Sequence, residues 1–207
     1  MKKLQKWLPG LLIFAVLLAS LAGGAAYGKY IFNKNFNGTV TIQANLGSIT
    51  VLEHTATRMI DGSYELLDST TNKNSYIIIP GLDIPKDPYV VVNKTSSIPV
   101  YVFIEVTDTI QPADKSVITY QVDTKNWKEL NGVAGKNGGK VYVYATGDTA
   151  QQVISSIGTI QILDQNKVFV HQDLKQVTSN VSINFYACMR QVVTGQTPAE
   201  IYKSTNY

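Results

Sequence analysis

Few side chains in this sequence are of the types that bind metals or act as bases, and they lie far apart. His54 and His171 are the only histidines. Neither begins a His-Glu-x-x-His pattern, which presents two imidazoles and a carboxylate base on one helix face in zinc proteases. Each stands alone in a strand-like run, "LEHTAT" or "VFVHQD". We therefore expect surface or edge histidines, with a metal-ligand role as the alternative, and predict no metal site.

A nucleophile is equally hard to place. Cys188 is the only cysteine, so the chain cannot form an internal disulfide. It could pair with His171 as nucleophile and base, but it lies in "FYACMRQ", a strand-like run without the turn that would build an oxyanion hole. We expect a packed or half-buried thiol. Because Gly-x-Ser-x-Gly, Walker and Gly-x-Gly-x-x-Gly motifs are also missing, the sequence predicts no catalytic residue, and the chain is not expected to be an enzyme.

Loop carboxylates are the remaining candidates for ion binding, since calcium prefers carboxylate oxygens. Four acids occupy turn-rich segments, at Asp83, Asp87, Asp108 and Asp114. They are scattered along the chain, so we interpret them as solvated acids and predict no cofactor. Calcium binding is the alternative.

The first 28 residues have the architecture of an export signal. A lysine-rich start, "MKKLQKW", precedes an uncharged run that ends at Lys29. Small residues from Ala25 to Gly28 suit a signal peptidase, so we expect residues 1–28 to be a signal peptide cleaved between about 25 and 28. The alternative is an uncleaved membrane anchor, because the run is about long enough to span a bilayer.

The charge balance argues against two classes of partner. The whole chain has 18 basic and 15 acidic side chains, and loss of residues 1–28 removes three lysines and no acid. A balanced chain without a Lys/Arg cluster lacks the footprint of a nucleic-acid binder and the polybasic patch that binds anionic lipid. We predict no nucleic-acid partner and membrane contact only through an uncleaved signal. A single cysteine in an exported protein fits a Gram-positive bacterium.

Alternation of apolar and polar residues, with the period of two that is typical of strands, dominates the rest of the chain. It is clear from Tyr30 to Gln43, in "PVYVFIEVT" and in "VSINFYACM". Shorter candidate strands are "SITVLE", "SYELLD", "NSYIII", "PYVVVN", "VITYQV", "KVYVYA", "TIQIL" and "VFVHQ". About ten short strands between turn-rich segments, without helices long enough for βαβ crossovers, predict an all-β sandwich or barrel.

Two short helices are also candidates. In "TPAEIYKS", Thr197 can cap, Pro198 takes the first helical position and Glu200 follows the cap by three residues. "DTAQQVISSI" is either a helix or a loop plus an edge strand. Because no long linker interrupts the strands, we expect residues 29–207 to form a single domain with one short helical turn near the C-terminus.

The stretch "IIIPGLDIPKDPYVVVN" places Pro80, Pro85 and Pro88 between two excellent strand sequences. Proline cannot donate to a sheet ladder, so this backbone must lie in a loop or at a sheet edge. Prolines and charges at an edge prevent pairing with other chains. The alternative is a simple crossover loop.

Aromatic residues are predicted on the strand face opposite the aliphatic one. They are Tyr89, Tyr101, Phe103, Tyr142, Tyr144 and Tyr186. Tyrosine tolerates a wet face because its hydroxyl meets water. We expect Tyr101, Phe103, Tyr142 and Tyr144 to be surface aromatics, either ordinary surface residues or a contact between subunits.

Several motifs together resemble one protein family. "IPGLDIPKDPYVVVNKTSSIPVYVFIEV", the signal ending "LAGGAAYGKYIF", "NWKEL" followed by "VYVYA", and "VSINFYAC" before "TPAEIY" occur in this order across nearly the whole chain. In this order and spacing they resemble the TasA/camelysin family of exported matrix proteins, whose signals a SipW-type peptidase processes. The run "ACMRQVV" departs from that pattern, which affects the register of the last strand.

The resemblance implies a jelly-roll-like antiparallel β-sandwich that is secreted and polymerises head to tail into biofilm-matrix fibres. An N-terminal strand of one subunit would complete the sheet of the next. The candidate donor segment is 29–38, and its apolar face continues past Gly38. The predicted assembly residues are Tyr30, Phe32, Phe36 and Val40. A strand at a chain end can leave its own domain at low cost and pair with an open edge elsewhere.

Two alternatives to a fibre subunit are compatible with the same sequence. If the segment instead folds back into its own sheet, the protein is a monomeric cell-surface binding or adhesion module. Some relatives in the family have been described as metalloproteases, so a secreted protease is the third possibility. The expected partners are other copies of the chain, the signal peptidase during export and other matrix components.

Overall fold

The computed structural model describes residues 46–175 and 181–204. The predicted signal peptide and the donor residues Tyr30, Phe32, Phe36 and Val40 lie outside these ranges. Twelve strands occur in the described part: β1 (Gly47–Arg58), β2 (Tyr64–Thr71), β3 (Ile84–Pro85), β4 (Tyr89–Lys94), β5 (Val100–Asp108), β6 (Ile118–Thr119), β7 (Trp127–Ala134), β8 (Lys140–Thr146), β9 (Thr149–Ala150), β10 (Ile157–Gln161), β11 (Lys167–Val170) and β12 (Ile183–Gln191). A 3-10 turn at Asp164–Asn166 and helix α1 (Pro198–Lys203) complete the elements.

All strand pairs in the described residues are antiparallel, and they form three sheets. One sheet has the order β10-β4-β1-β2, a small one has β3-β11-β6, and the third has β12-β5-β8-β7 with β9 added beside β8. The predicted all-β sandwich with a short C-terminal helix is confirmed. No helix among the residues described here has the length and apolar character that crossing a membrane requires.

Strand β1 changes partners halfway along its length. Its first half, Gly47–Leu52, pairs with β4, and its second half pairs with β2. The register with β2 shifts between His54 and Ala56, and the Asn74 side chain fills the break. Its amide accepts from Ala56 N at 2.9 Å and donates to His54 O at 2.7 Å. One asparagine thus replaces the missing ladder bonds.

Strand β5 lies at the centre of the fold because both of its faces are apolar. Val100, Val102, Ile104 and Val106 enter the larger core cluster, together with residues of the other two sheets. The intervening Tyr101 and Phe103 enter a second cluster on the outer face. Its seven buried residues are Tyr101, Phe103, Val133, Val141, Val143, Ile201 and Tyr202.

Helix α1 covers that outer cluster. Its capping box is complete, since Thr197 N donates to Glu200 Oε2 at 2.7 Å and Glu200 N donates to Thr197 Oγ1 at 3.3 Å. The helix buries Ile201 and Tyr202, and the Tyr202 ring lies 5.3 Å from that of Phe103 between centroids. The helix predicted from "TPAEIYKS" is therefore confirmed.

Three segments differ from the list of candidate strands or decide between its alternatives. "NSYIII" forms no strand, although its residues alternate in burial. "DTAQQVISSI" contains the short strand β9 and no helix, as its second interpretation stated. Strand β7 is missing from the sequence candidates, because Lys128, Asn131 and Gly132 break the alternation there.

Candidate assembly groove

The proline-rich stretch does lie at a sheet edge. Ile84 and Pro85 form β3, the two-residue outer strand of the small sheet. The neighbouring polar groups have partners within the fold: Lys86 N donates to Asn166 O, and Ile162 N donates to Pro88 O, both at 2.9 Å. This edge presents little free backbone, as the sequence predicts.

The outer edge of β12 is different, because β12 pairs only with β5 among the described residues. Thr109 N donates to Ser182 O, and Val192 N donates to Pro99 O, so positions 182 and 192 face β5. Backbone direction alternates along an antiparallel strand. The N–H groups that point away from β5 are therefore those of Ile183, Phe185, Ala187, Met189 and Gln191. This is a nine-residue strand with one row of backbone groups available for pairing.

The segment 72–80 forms a second unpaired stretch. Tyr76 and Ile78 are half-buried while Ser75 and Ile77 are exposed, which is the alternation of a strand. Its backbone makes no ladder pairs in the described structure; Ile77 N donates instead to the Tyr64 hydroxyl at 2.6 Å. The segment thus alternates in burial as a strand does, but it has no ladder partner among the described residues.

A groove of about 1340 Å³ lies between this segment and the start of β12. We call it the assembly groove. Apolar side chains of the core reach its surface without being fully covered: Val51, Tyr76, Ile78, Val181, Ile183 and Phe185. Elsewhere the same core is closed, since Val90, Val92, Val102 and Ile104 have no exposed surface. Within residues 46–175 and 181–204 the core is therefore open along one margin.

An ion pair lies inside the groove. Lys86 Nζ is 2.7 Å from Glu53 Oε2, with side chains only 12% and 6% exposed. The other Glu53 oxygen accepts from Asn74 N at 2.8 Å. The Lys86 ammonium also lies 5.7 Å from the ring centroids of both Tyr76 and Phe185, within the range of cation–π attraction. A charged pair thus lies between aromatic rings from the two sides of the groove.

Each histidine lies beside one aspartate, and neither belongs to a larger cluster of metal-ligand side chains in the described residues. His54 Nδ1 lies 2.5 Å from Asp87 Oδ2, and His54 N donates to Asp87 Oδ1 at 3.1 Å. Asp87 is buried by this contact, so its interpretation as a solvated acid is wrong. His171 lies at the surface, 3.2 Å from Asp173. Within residues 46–175 and 181–204, no group of three or more histidine, cysteine or carboxylate side chains could hold a metal ion.

Cys188 is packed in the structure, as its sequence context predicts. It lies on the outer face of β12 against the second core cluster. Burial raises the pKa of this thiol, and the nearby Arg190 only partly opposes that effect. The thiol is therefore poorly suited to act as a nucleophile.

Two of the predicted surface aromatics are buried, which corrects the prediction. Phe103 has no exposed surface and Tyr101 is 8% exposed, because α1 covers the face that was expected to be wet. Tyr142 and Tyr144 are half-buried and point to the opposite side, against the main core. The register pairs Phe103 with Val143 and Ile104 with Tyr142, so the four residues do not share a face.

The other two aromatic residues of this set, Tyr89 and Tyr186, differ in burial. Tyr89 is buried at 8% exposure, with its ring 5.7 Å from that of His54. Tyr186 is 45% exposed beside the open edge.

The residues that sequence reasoning missed are Glu53, Tyr76, Lys86 and Phe185, which line the groove. Glu53 and Lys86 are 33 positions apart, and only the charge between the prolines in "IPKDP" marks the site in the sequence.

Comparisons with known proteins give no further identification. Neither the protein-family models, nor the curated proteins, nor the solved structures contain a match to this chain.

Proposed function

We propose that this protein is a secreted structural subunit that polymerises into extracellular biofilm-matrix fibres by donor-strand exchange. In this proposal a signal peptidase releases segment 29–38, which then enters the assembly groove of a second copy. The single observation that carries the proposal is the open apolar margin of the core beside the unpaired edge of β12.

The size of the groove supports a polypeptide as its occupant. Its volume of about 1340 Å³ exceeds the roughly 300–1,000 Å³ of small-molecule pockets. An extended segment satisfies the free backbone groups of β12 through main-chain hydrogen bonds, and its alternate side chains cover the exposed core. A small molecule could do the second of these but not the first.

The chain itself contains a segment with the required pattern. Three of the even positions are aromatic, Tyr30, Phe32 and Phe36, with Lys34 between them, and the odd positions Asn33 and Asn35 carry amides. The segment therefore has a mainly aromatic face and an amide face. Burial of the three aromatic side chains contributes about 5–8 kcal/mol before ordering costs, at roughly 25 cal/mol per Å². This burial contributes to assembly after release of the segment, and main-chain hydrogen bonds to β12 add to it.

The geometry of such an exchange determines the product. A segment of one copy that fills the groove of another forms a heterologous contact, and contacts of this type produce open filaments when the rotation does not close. The resemblance of the sequence motifs to the TasA/camelysin family of matrix-fibre proteins supports the same outcome.

Negative-stain microscopy of the purified, processed protein tests the proposal. We expect fibres that disappear on deletion of residues 29–37. Phe32→Asp with Phe36→Asp should also abolish them, because charges on the apolar face cannot enter the groove. The matched control, Asn33→Asp with Asn35→Asp, places the same charges on the polar face and should assemble. A protein that remains monomeric at every concentration contradicts the proposal and favours the adhesion module.

A second variant tests the acceptor side. Ala187→Pro removes one N–H that points away from β5 and leaves the β5 ladder intact. We expect loss of fibres with nearly unchanged stability of the monomer, whereas Ala187→Val keeps the N–H and should assemble. Fibres formed normally by Ala187→Pro would show that the β12 edge is not used.

A further inference from the structure

The buried ion pair Lys86–Glu53 is an unusual feature of the assembly groove. Taking two charges out of water is costly, and a buried pair often stabilises a fold no better than apolar side chains of similar size. Here both side chains are almost fully buried, at 12% and 6% exposure, next to the open margin of the core. Stability alone therefore gives little reason for this pair at this position.

The surroundings of the ammonium indicate what it recognises. Lys86 Nζ lies 5.7 Å from the ring centroids of Tyr76 and Phe185, which belong to the two opposite sides of the groove. Glu53 is held in place by Asn74 N at 2.8 Å and fixes the ammonium at 2.7 Å. The cation is thus held at a defined point among aromatic rings.

We propose that Lys86 is a specificity-determining residue that selects an aromatic side chain of the incoming extended segment over an aliphatic one of equal size. This inference rests on the proposed function and identifies the chemistry of the segment that the groove accepts. The face of an aromatic ring carries partial negative charge, so it attracts the ammonium after water has been displaced. A saturated ring fills the same space but leaves the ammonium without that attraction.

The candidate occupant agrees with this requirement. The segment before β1 carries aromatic residues at Tyr30, Phe32 and Phe36, on the same strand face by alternation. Tyr76 and Phe185 then contribute ring contacts of their own to the same site. Together the incoming ring, Tyr76 and Phe185 would form an aromatic cluster around one cation.

A peptide-binding experiment tests the inference. The probe is a fluorescein-labelled peptide of residues 29–40, and its partner has cyclohexylalanine in place of all three aromatic residues. Fluorescence anisotropy with the processed protein that lacks residues 29–37, whose groove has no donor segment of its own, should show about tenfold tighter binding of the aromatic peptide. In the double variant Glu53→Gln/Lys86→Met this preference should fall to less than about twofold, since the neutral pair keeps the acceptor for Asn74 N.

The matched control removes a lysine–glutamate pair elsewhere. Glu129 and Lys140 form a surface pair at 3.1 Å, so Glu129→Gln/Lys140→Met changes the same charges outside the groove and should keep the tenfold preference. If the groove double variant does not fold, the protein with Lys86 and Glu53 in place still tests the role of the ammonium. Peptides with increasingly fluorinated phenylalanine have ring faces of decreasing negative charge, and their affinity should decline stepwise.

The outcomes separate the two proposals. Binding of both peptides with equal affinity, or a preference that survives in the groove double variant, overturns the role of Lys86 and leaves donor-strand exchange standing. Failure of both peptides to bind, together with absence of fibres, overturns both proposals.

Discussion

The two faces of the β12-β5-β8-β7 sheet contain aromatic residues in very different states. On the outer face, Phe103 is fully buried beneath α1. On the inner face, Phe185 packs against the main core but remains partly exposed in the assembly groove. A six-residue helix therefore closes one face, while a margin of the other face is open within the described residues. The closed face stabilises the protein, and in the proposed function the open margin receives a second chain.

Truncation of the two phenylalanines is the strongest test of this difference. Phe103→Ala should lower the free energy of unfolding by about 3–5 kcal/mol, because it removes a fully buried ring. Phe185→Ala should lower it by less than half as much in the monomer, since part of that ring already contacts water. Guanidinium denaturation of both variants measures these values, and electron microscopy should show that Phe185→Ala impairs fibres. Equal losses of stability would contradict the distinction between the faces.

The cap of α1 provides a smaller test of the same closure. Thr197→Ala removes the oxygen that accepts from Glu200 N and should destabilise the protein by about 1 kcal/mol. Thr197→Ser retains the cap and is the matched control. Thermal unfolding should show a lower midpoint for the alanine variant alone. If both variants unfold like the parent protein, α1 contributes little to the closed face.

Sequence patterns predicted most of the fold because alternation reports the burial of side chains directly. β8 and the first halves of β1 and β12 alternate in burial, whereas β5 is buried on both faces. "NSYIII" shows the limit of the method: its half-buried and exposed residues do alternate, but no neighbouring strand pairs with it in the described structure. A pattern within one segment predicts its faces, whereas a strand also requires a partner.

The prediction of surface aromatic residues was wrong for a related reason. Alternation assigned faces within each strand correctly, but it contains no information about the register between strands. Phe103 lies opposite Val143, and this offset places Tyr142 on the other face from Phe103. The groove was equally hidden, because Glu53 and Lys86 meet only through long-range folding.

Alkaline pH provides the smallest and most local test. Burial raises the pKa of Tyr202, on the closed face, to about 12, and the negative charges of Cys188 and Glu105 add to the effect. Burial likewise raises the pKa of Tyr142, on the inner face, to about 12, with a further contribution from Glu129. In the unfolded chain tyrosine titrates near pH 10. Between about pH 10 and 12 the unfolded state therefore binds fewer protons than the folded state, so stability falls as the pH rises.

Guanidinium denaturation at a series of pH values from 9 to 11.5 measures this slope. Below pH 9 these two tyrosines are protonated in both states and should contribute no slope. Tyr202→Phe should flatten the decline because it removes one of the linked protons, and Tyr142→Phe should do so to a similar extent. Similar effects would mean that both faces exclude water around their central tyrosines, so that the inner face is open only at its margin beside β12. An unchanged slope in Tyr142→Phe, with a flatter one in Tyr202→Phe, would instead indicate that water reaches the inner face well beyond the groove.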